Sequence, residues 1–158
     1  MRRSLSLIVM TTLLLSLFAC GSKKAPDQSA VRSKNVLSVL REMSRSYEKK
    51  DLDTFLSDVS AAYPDRAALA KTLTAVFGKY ETIHFNIQYA RLIILIEQKG
   101  PIRATFTWDA EWQMPGGSAL KDGGRVTLVF DAGSFKLLSI DGKNPFLARP
   151  GETPGGKP

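Results

Sequence analysis

The spacing of apolar positions predicts helices in the first half of the chain and strands in the second. From residue 35 to residue 77, apolar side chains recur every three or four positions, which is the period of an α-helix. Three helix faces follow: Val36, Leu40, Met43 and Tyr47; Leu52, Phe55, Leu56 and Val59; Leu69, Leu73, Val76 and Phe77. Residues typical of N-caps precede them: Ser33 or Asn35, Asp51 with Asp53, and Asp65.

After Gly78, which is predicted to end the third helix, the period changes to two, as in a strand with one buried face. The clearest alternation is on one side of residues 103–112: Ala104, Phe106, Trp108, Ala110 and Trp112. Five strands are predicted, over residues 83–89, 90–96, 103–112, 125–130 and 135–140. The second is apolar at nearly every position and is therefore expected to be covered on both faces. Glycine pairs and Pro115 predict a loop or a hairpin end between residues 115 and 124, and a turn is predicted over residues 131–134.

Three helices followed by antiparallel strands predict an α+β fold, with the helices packed on one face of a curved sheet. The helix junction 47–52, the long strand through Thr107 and Trp108, and the closing strand 137–142 resemble the nuclear transport factor 2-like superfamily, which includes ketosteroid isomerase and polyketide cyclases. The resemblance covers residues 35–146. It implies a cone whose mouth can hold a small apolar ligand, and in the isomerase members an acidic base and an oxyanion donor inside it.

Several side chains are candidates for the interior of such a cone. Asp58 with Tyr47 or Tyr63 would supply an acid and a phenol, the groups such catalysis uses, although all three could instead be solvated. The other candidates are aromatic and could line a ligand cavity or simply fill the core: Phe55, Phe106, Trp108 and Trp112. Asp109 and Glu111 lie on the polar side of their strand, so no catalytic set is recognisable.

The resemblance also predicts self-association. Superfamily members commonly pair through the outer face of the sheet, and Leu92, Ile94 and Ile96 would otherwise form an exposed apolar patch. A homodimer through the sheet is therefore expected.

The first twenty residues have the features of an export signal. Arg2 and Arg3 precede an apolar run, residues 5–18, which is too short to span a bilayer comfortably. The run ends in a segment that resembles the lipobox of bacterial lipoproteins, with Leu17, Ala19 and Cys20 matching it and Phe18 less usual. The resemblance implies removal of residues 1–19 and attachment of acyl chains to Cys20. Those chains would anchor the protein in a membrane.

Gly21 after the cysteine implies, by the enterobacterial sorting rule, release to the outer membrane facing the periplasm. Residues 20–34 are small and polar and predict a flexible tether. Residues 147–158 are rich in proline and glycine and predict a disordered tail. The four predicted segments are thus a signal peptide, a lipidated tether, one domain over residues 35–146, and the tail.

The composition further limits the kinds of site and partner that are expected. With a single cysteine and a single histidine, His84, the chain offers neither a disulfide nor a cluster of metal ligands, and no cofactor is expected. Once Arg2 and Arg3 are removed, twenty basic residues face fifteen acidic ones, an excess of five positive charges. In the cell envelope this charge would meet anionic lipid, lipopolysaccharide or peptidoglycan rather than nucleic acid, or serve only solubility.

Together these observations favour a membrane-anchored, non-catalytic envelope lipoprotein that binds a partner protein or a small apolar ligand through its cone. Two alternatives remain. One is an isomerase- or cyclase-type enzyme acting on an apolar substrate, and the other is a structural component of an envelope assembly.

Overall fold

The computed structural model describes residues 28–97 and 100–148. The predicted signal peptide, Cys20 and most of the predicted tail lie outside these ranges. Within them, three helices precede five antiparallel strands, and the helices cover the inner face of the curved sheet. No helix in the described part of the chain combines the length and apolarity needed to cross a bilayer.

The helices are α1 (Gln28–Glu48), α2 (Leu52–Ser57) and α3 (Arg66–Lys79). The predicted stripe of α1 is confirmed, since Val36, Leu40, Met43 and Tyr47 are all buried. The helix begins at Gln28, two turns before the predicted start, so Ser33 and Asn35 lie inside it and do not cap it. Its first turns carry no apolar stripe, which is why periodicity did not reveal them. Residues 28–34 of the predicted tether are therefore helical.

Of the two aspartates predicted to cap the later helices, one makes a side-chain capping bond and the other does not. Asp51 is the N-cap of α2, and its Oδ1 accepts a hydrogen bond from the Thr54 backbone N–H at 3.0 Å, as predicted. Asp65 stands at the N-cap of α3, but its backbone is left-handed (φ 56°) and its side chain makes no capping bond. Gly78 lies inside α3, which ends one residue later because Tyr80 turns extended.

The strands are β1 (Thr82–Ile87), β2 (Ile93–Ile96), β3 (Ile102–Gln113), β4 (Ala119–Phe130) and β5 (Leu137–Gly142). The sheet order is β1-β3-β4-β5, and β2 also pairs with β3. β1 lies beside residues 108–113 of β3 and β2 beside residues 102–105 of the same edge. Between them the chain leaves the sheet through a 3-10 turn, Tyr89–Arg91.

The predicted hairpin end is present between β3 and β4, at residues 114–118, but it does not extend to Gly123 and Gly124, because both glycines lie within β4, opposite Asp109 and Trp108 of β3. A Cβ atom at Gly123 would stand 2.9 Å from the Trp108 backbone oxygen, so the close approach of the two strands requires glycine there. The glycines therefore mark a contact inside the sheet. The turn at residues 131–134 is confirmed by Asp131, whose Oδ1 accepts hydrogen bonds from the backbone N–H groups of Gly133 and Ser134.

The prediction of a strand covered on both faces is also wrong for this chain. β2 has only four residues, and its Ile93 and Leu95 side chains are 59% and 55% exposed on the outer face of the sheet. The three residues predicted to form the exposed patch, Leu92, Ile94 and Ile96, instead pack against the core. The 3-10 turn sets which side chains of β2 face outward, and periodicity could not show it.

The core lies between the helices and the inner sheet face. The predicted alternation of β3 is confirmed: Ala104, Phe106, Trp108, Ala110 and Trp112 are all buried, whereas Asp109 and Glu111 face outward. The inner face continues through β4 and β5, where Val126, Leu128, Phe130 and Leu137 are buried.

Candidate functional site

The interior of the cone is occupied by aromatic side chains that contact one another. Tyr47 of α1 lies 5.7 Å from Phe85 of β1 and 6.3 Å from Phe55 of α2, measured between ring centroids. Phe146, which follows β5, packs between them at 5.2 Å from Tyr47 and 4.8 Å from Phe55. The segment after β5 thus places a ring where the helices and the sheet converge.

The Tyr47 hydroxyl is buried and forms hydrogen bonds with two distant parts of the chain. It accepts a hydrogen bond from Trp112 Nε1 at 2.8 Å and donates one to the Phe146 backbone oxygen at 3.1 Å. Burial raises the pKa of this phenol well above its usual range, against the lowering effect of the Trp112 hydrogen bond. Tyr47 therefore stays protonated and joins α1 to β3 and to the segment that follows β5.

An ion pair that the sequence analysis missed lies on the inner side of β4. Asp122 pairs with Ala110 in the sheet register, so it shares the inner face with the aromatic residues, and its side chain is only 5% exposed. Lys143 Nζ lies 2.5 Å from its Oδ1, which also accepts the Gly123 backbone N–H at 2.7 Å. The alternation of Leu120, Asp122, Gly124 and Val126 was the available signal. The glycine pair obscured it by suggesting a turn.

Gly124 lies beside both Lys143 and Trp108 on the inner face, and a Cβ atom there would make ordinary van der Waals contacts with them. A Cβ atom at Gly124 would lie 3.4 Å from Lys143 Cδ and 3.7 Å from Trp108 Nε1. The Trp108 Nε1 itself is buried and has no hydrogen-bond partner among residues 28–97 and 100–148. A carboxylate, an ammonium and an unused N–H donor are thus grouped around one glycine, the kind of polar set that can orient a ligand in an apolar site.

Asp58, the predicted acid, lies elsewhere. It follows α2 at the end of the sheet, where its backbone oxygen accepts the Leu137 N–H at 2.8 Å. Its Oδ2 is buried and has no hydrogen-bond partner in the part of the chain that the structure describes. Burial raises the pKa of this carboxyl, the negative charge of Glu42 raises it further, and Lys136 opposes both effects. Among the described contacts, none joins Asp58 to Tyr47 or Tyr63.

We expect Asp58→Asn to stabilise the protein at neutral pH, by about 1 kcal/mol or less. Because the folded state raises the Asp58 pKa, ionisation costs stability as the pH rises from the unfolded value, about 3.9, through the raised folded value. Below that window both forms are neutral and the gain should vanish. Urea unfolding at about pH 7 and pH 3 measures it, with Asp53→Asn on the exposed side of α2 as control. A gain that persists at acid pH would contradict the assignment.

Tyr63, the other predicted phenol, borders a surface pocket of about 200 Å³ with Asp65 and Leu69 at the start of α3 and Asn144 and Leu147 after β5. Partial burial raises the pKa of the Tyr63 hydroxyl. The pocket is outside the aromatic interior.

The structure therefore separates the candidate residues into groups. The Tyr47 side chain contacts both Phe55 and Trp112. Trp108 is connected to this group through Phe85, with their ring centroids 6.1 Å apart. Phe106 is buried farther along β3. Asp58 and Tyr63 are each apart. His84 is exposed on β1, and within residues 28–97 and 100–148 no three His, Cys, Asp or Glu side chains are grouped so as to hold a metal ion.

No protein-family model and no curated protein sequence matches the chain. Solved structures do. A nuclear transport factor 2-like superfamily protein from Salmonella enterica superposes with a TM-score of 0.63 at 14% identity, over 80% of this chain and 99% of that one. A candidate dehydratase of the same family from Streptomyces avermitilis gives 0.61 at 15% identity, over 70% and 94%.

A candidate scytalone dehydratase from Novosphingobium aromaticivorans gives a TM-score of 0.60 at 12% identity, over 73% of this chain and 85% of that one. At these identities the likeness concerns the fold. It agrees with the helices packed on a curved antiparallel sheet that the residues themselves build. The chain has the nuclear transport factor 2-like fold, which these candidate dehydratases also have.

Proposed function

We propose that the protein is a lipid-anchored component of the bacterial cell envelope that binds a partner without catalysing a reaction. The observation that carries the non-catalytic part is the aromatic interior. Tyr47, Phe55, Phe85 and Phe146 occupy the space where a ligand of the cone would bind, and the Tyr47 hydroxyl is already hydrogen bonded on both sides. A partner would then bind to the outer surface of the domain.

The anchor is supported by the segment that ends in Leu17, Ala19 and Cys20. A single acyl chain holds a protein only reversibly, whereas two or three chains on one residue give stable attachment. Seven residues, 21–27, separate Cys20 from the start of α1. At no more than about 3.6 Å per residue, the eight steps from Cys20 to Gln28 keep the start of α1 within about 30 Å of the bilayer surface. A partner would therefore be met at or near the membrane.

Cys20→Ser is expected to abolish the membrane association of the protein in a bacterial host. Intact mass of the unsubstituted protein should exceed that of the polypeptide from residue 20 by the added glyceride and acyl groups, and it should fractionate with membranes. The variant should lack the added mass and leave the membrane fraction. Ser22→Ala, two positions on, is the matched control and should behave as the parent. A bare polypeptide mass in the parent protein would refute the anchor.

Partner binding is tested separately from anchoring. The lipidated protein is crosslinked in its native envelope and purified, and the crosslinked proteins and extracted small molecules are identified by mass spectrometry. A specific protein crosslinked through the outer surface supports the proposal. A small apolar molecule bound in stoichiometric amount would show instead that the aromatic interior opens.

An enzyme of the isomerase, dehydratase or cyclase type is the second candidate, and the polar group on β4 is what favours it. Asp122, Lys143 and the Trp108 Nε1, which has no partner within the described ranges, lie on the inner face of a fold shared with candidate dehydratases. Proton exchange at the α-carbon of apolar ketones, followed by NMR in deuterated water, tests this reading. Exchange by the parent protein that Asp122→Asn abolishes would support it and overturn the non-catalytic proposal.

A further inference from the structure

A second pocket lies on the opposite side of the sheet from the aromatic interior. It encloses about 440 Å³, and its lining residues are Ala90, Arg91, Leu92, Ile93, Thr107 and Arg125. This volume is within the range of sites that hold small molecules. We refer to it as the outer-face pocket.

The pocket exists because the edge of the sheet is interrupted. β1 and β2 both pair with β3, but the 3-10 turn between them leaves the sheet beside Phe106 and Thr107. One hydrogen bond, from the Gln88 N–H to the Thr107 backbone oxygen at 2.9 Å, holds the turn to β3. The Arg91 N–H donates a hydrogen bond to the Gln88 oxygen at 2.9 Å. This bond holds the backbone of the 3-10 turn, which forms one wall of the pocket. The cavity is therefore built by hydrogen-bonded backbone on one side and by β3 and β4 on the other.

Positive charge is concentrated in this pocket. Arg125 is the register partner of Thr107, so a guanidinium and a hydroxyl lie side by side on its floor, and Arg91 stands on its wall. None of the carboxylates in the described residues lines it. Within the described part of the chain, neither Arg91 nor Arg125 has an ion-pair partner.

The acidic residues of the outer face are engaged elsewhere. Asp109 Oδ1 accepts hydrogen bonds from the side-chain amides of Asn86 at 3.0 Å and Gln88 at 3.5 Å. Asp141 Oδ2 lies 3.3 Å from the Arg103 guanidinium. The two arginines of the pocket are thus left to bind an anion from outside the chain.

We propose that the outer-face pocket binds a phosphate ester with an apolar chain. Two guanidinium groups and one hydroxyl supply more donors than the two oxygens of a carboxylate can use, whereas a phosphate monoester offers three oxygens and up to two negative charges. The apolar chain would lie on the exposed Ile93 side chain, and the exposed Leu95 side chain continues that surface along β2. This site is independent of the aromatic interior and of whether Cys20 carries lipid.

Calorimetric titration of the full chain with hexyl phosphate tests the site, with hexanol and inorganic phosphate as the two halves of the ligand. Hexyl phosphate should bind more tightly than either half. Arg91→Gln and Arg125→Gln should each weaken it by about tenfold or more, since each removes a charged donor. Arg103→Gln, on the same face of the sheet but outside the pocket, is the matched control and should bind as the parent does.

Short-chain phosphatidate added in parallel distinguishes the source of the ligand. Tighter binding of phosphatidate than of hexyl phosphate assigns the site to a membrane lipid headgroup, and the reverse assigns it to a water-soluble ester. The proposal is overturned if hexyl phosphate does not bind, if it binds no better than inorganic phosphate, or if Arg103→Gln weakens binding as much as the two pocket substitutions. Circular dichroism of each variant verifies that the comparison is between folded proteins.

Discussion

Phe146→Ala is expected to lower the free energy of unfolding by about 3–5 kcal/mol, the usual cost of deleting a buried phenyl ring. Phe146 is 1% exposed and contacts Tyr47, Phe55 and Phe85 at ring-centroid distances of 4.8–5.5 Å. Its removal leaves a cavity among rings that belong to three different elements. The backbone oxygen of residue 146 would remain to accept the Tyr47 hydroxyl, so the loss measures packing rather than the hydrogen bond.

Urea denaturation followed by circular dichroism measures this loss. Leu147→Ala is the matched control, because the neighbouring side chain is only partly buried and borders the pocket beside Tyr63, and it should cost about 1 kcal/mol. If the cone becomes accessible, Phe146→Ala should also bind an apolar dye that the parent protein does not bind. Equal losses for the two variants would show that residues 143–148 are not a structural part of the domain.

Lys143→Met is expected to lower the free energy of unfolding by about 3 kcal/mol, because it leaves the Asp122 carboxylate buried without its counter-charge. Methionine keeps most of the side-chain length that passes Gly124, so the change removes charge more than packing. The remaining hydrogen bond from the Gly123 N–H compensates only in part. Removing the carboxylate as well, in Asp122→Asn with Lys143→Met, should recover much of the loss.

A double-mutant cycle over Asp122→Asn, Lys143→Met and the pair gives the coupling between the two side chains. The control is Lys121→Met, whose ammonium pairs with Glu111 at 3.0 Å while 74% exposed. Surface pairs of this kind contribute little, so its effect should stay below about 1 kcal/mol. A coupling no larger than this control would mean that Asp122 is solvated when the protein is in solution.

Local pattern was enough to predict the helix faces and the central strand. Tyr47 and Leu40 follow helical spacing on α1, and Trp108 and Trp112 alternate with Asp109 and Glu111 on β3. Each of these elements buries one face only, so its apolar residues repeat with the period of its own backbone. The superfamily resemblance followed from the order of these elements.

The functional candidates were harder to predict, because their positions depend on contacts between elements distant in sequence. Asp122 looked like a turn residue, and only the pairing of β4 with β3 places it beside Ala110 on the inner face. Asp58 and Tyr47 were plausible partners by residue type. In the fold, Asp58 follows α2 and bonds to the backbone of β5, whereas the Tyr47 hydroxyl on α1 bonds to Trp112 of β3. Arg91 and Arg125 are 34 positions apart, and the 3-10 turn alone brings them to one pocket.

Residue order and spacing thus establish which segments are helices or strands, which of their faces are apolar, and that residues 17–20 have the form of a lipidation site, since all of these are properties of short stretches of chain. The filling of the cone by Phe146, the Asp122–Lys143 pair and the outer-face pocket depend on how those stretches pack together. Hydrogen-bond register and the absence of a side chain at Gly123, where β3 and β4 approach closely, contribute to these contacts. Neither leaves a periodic trace in the sequence.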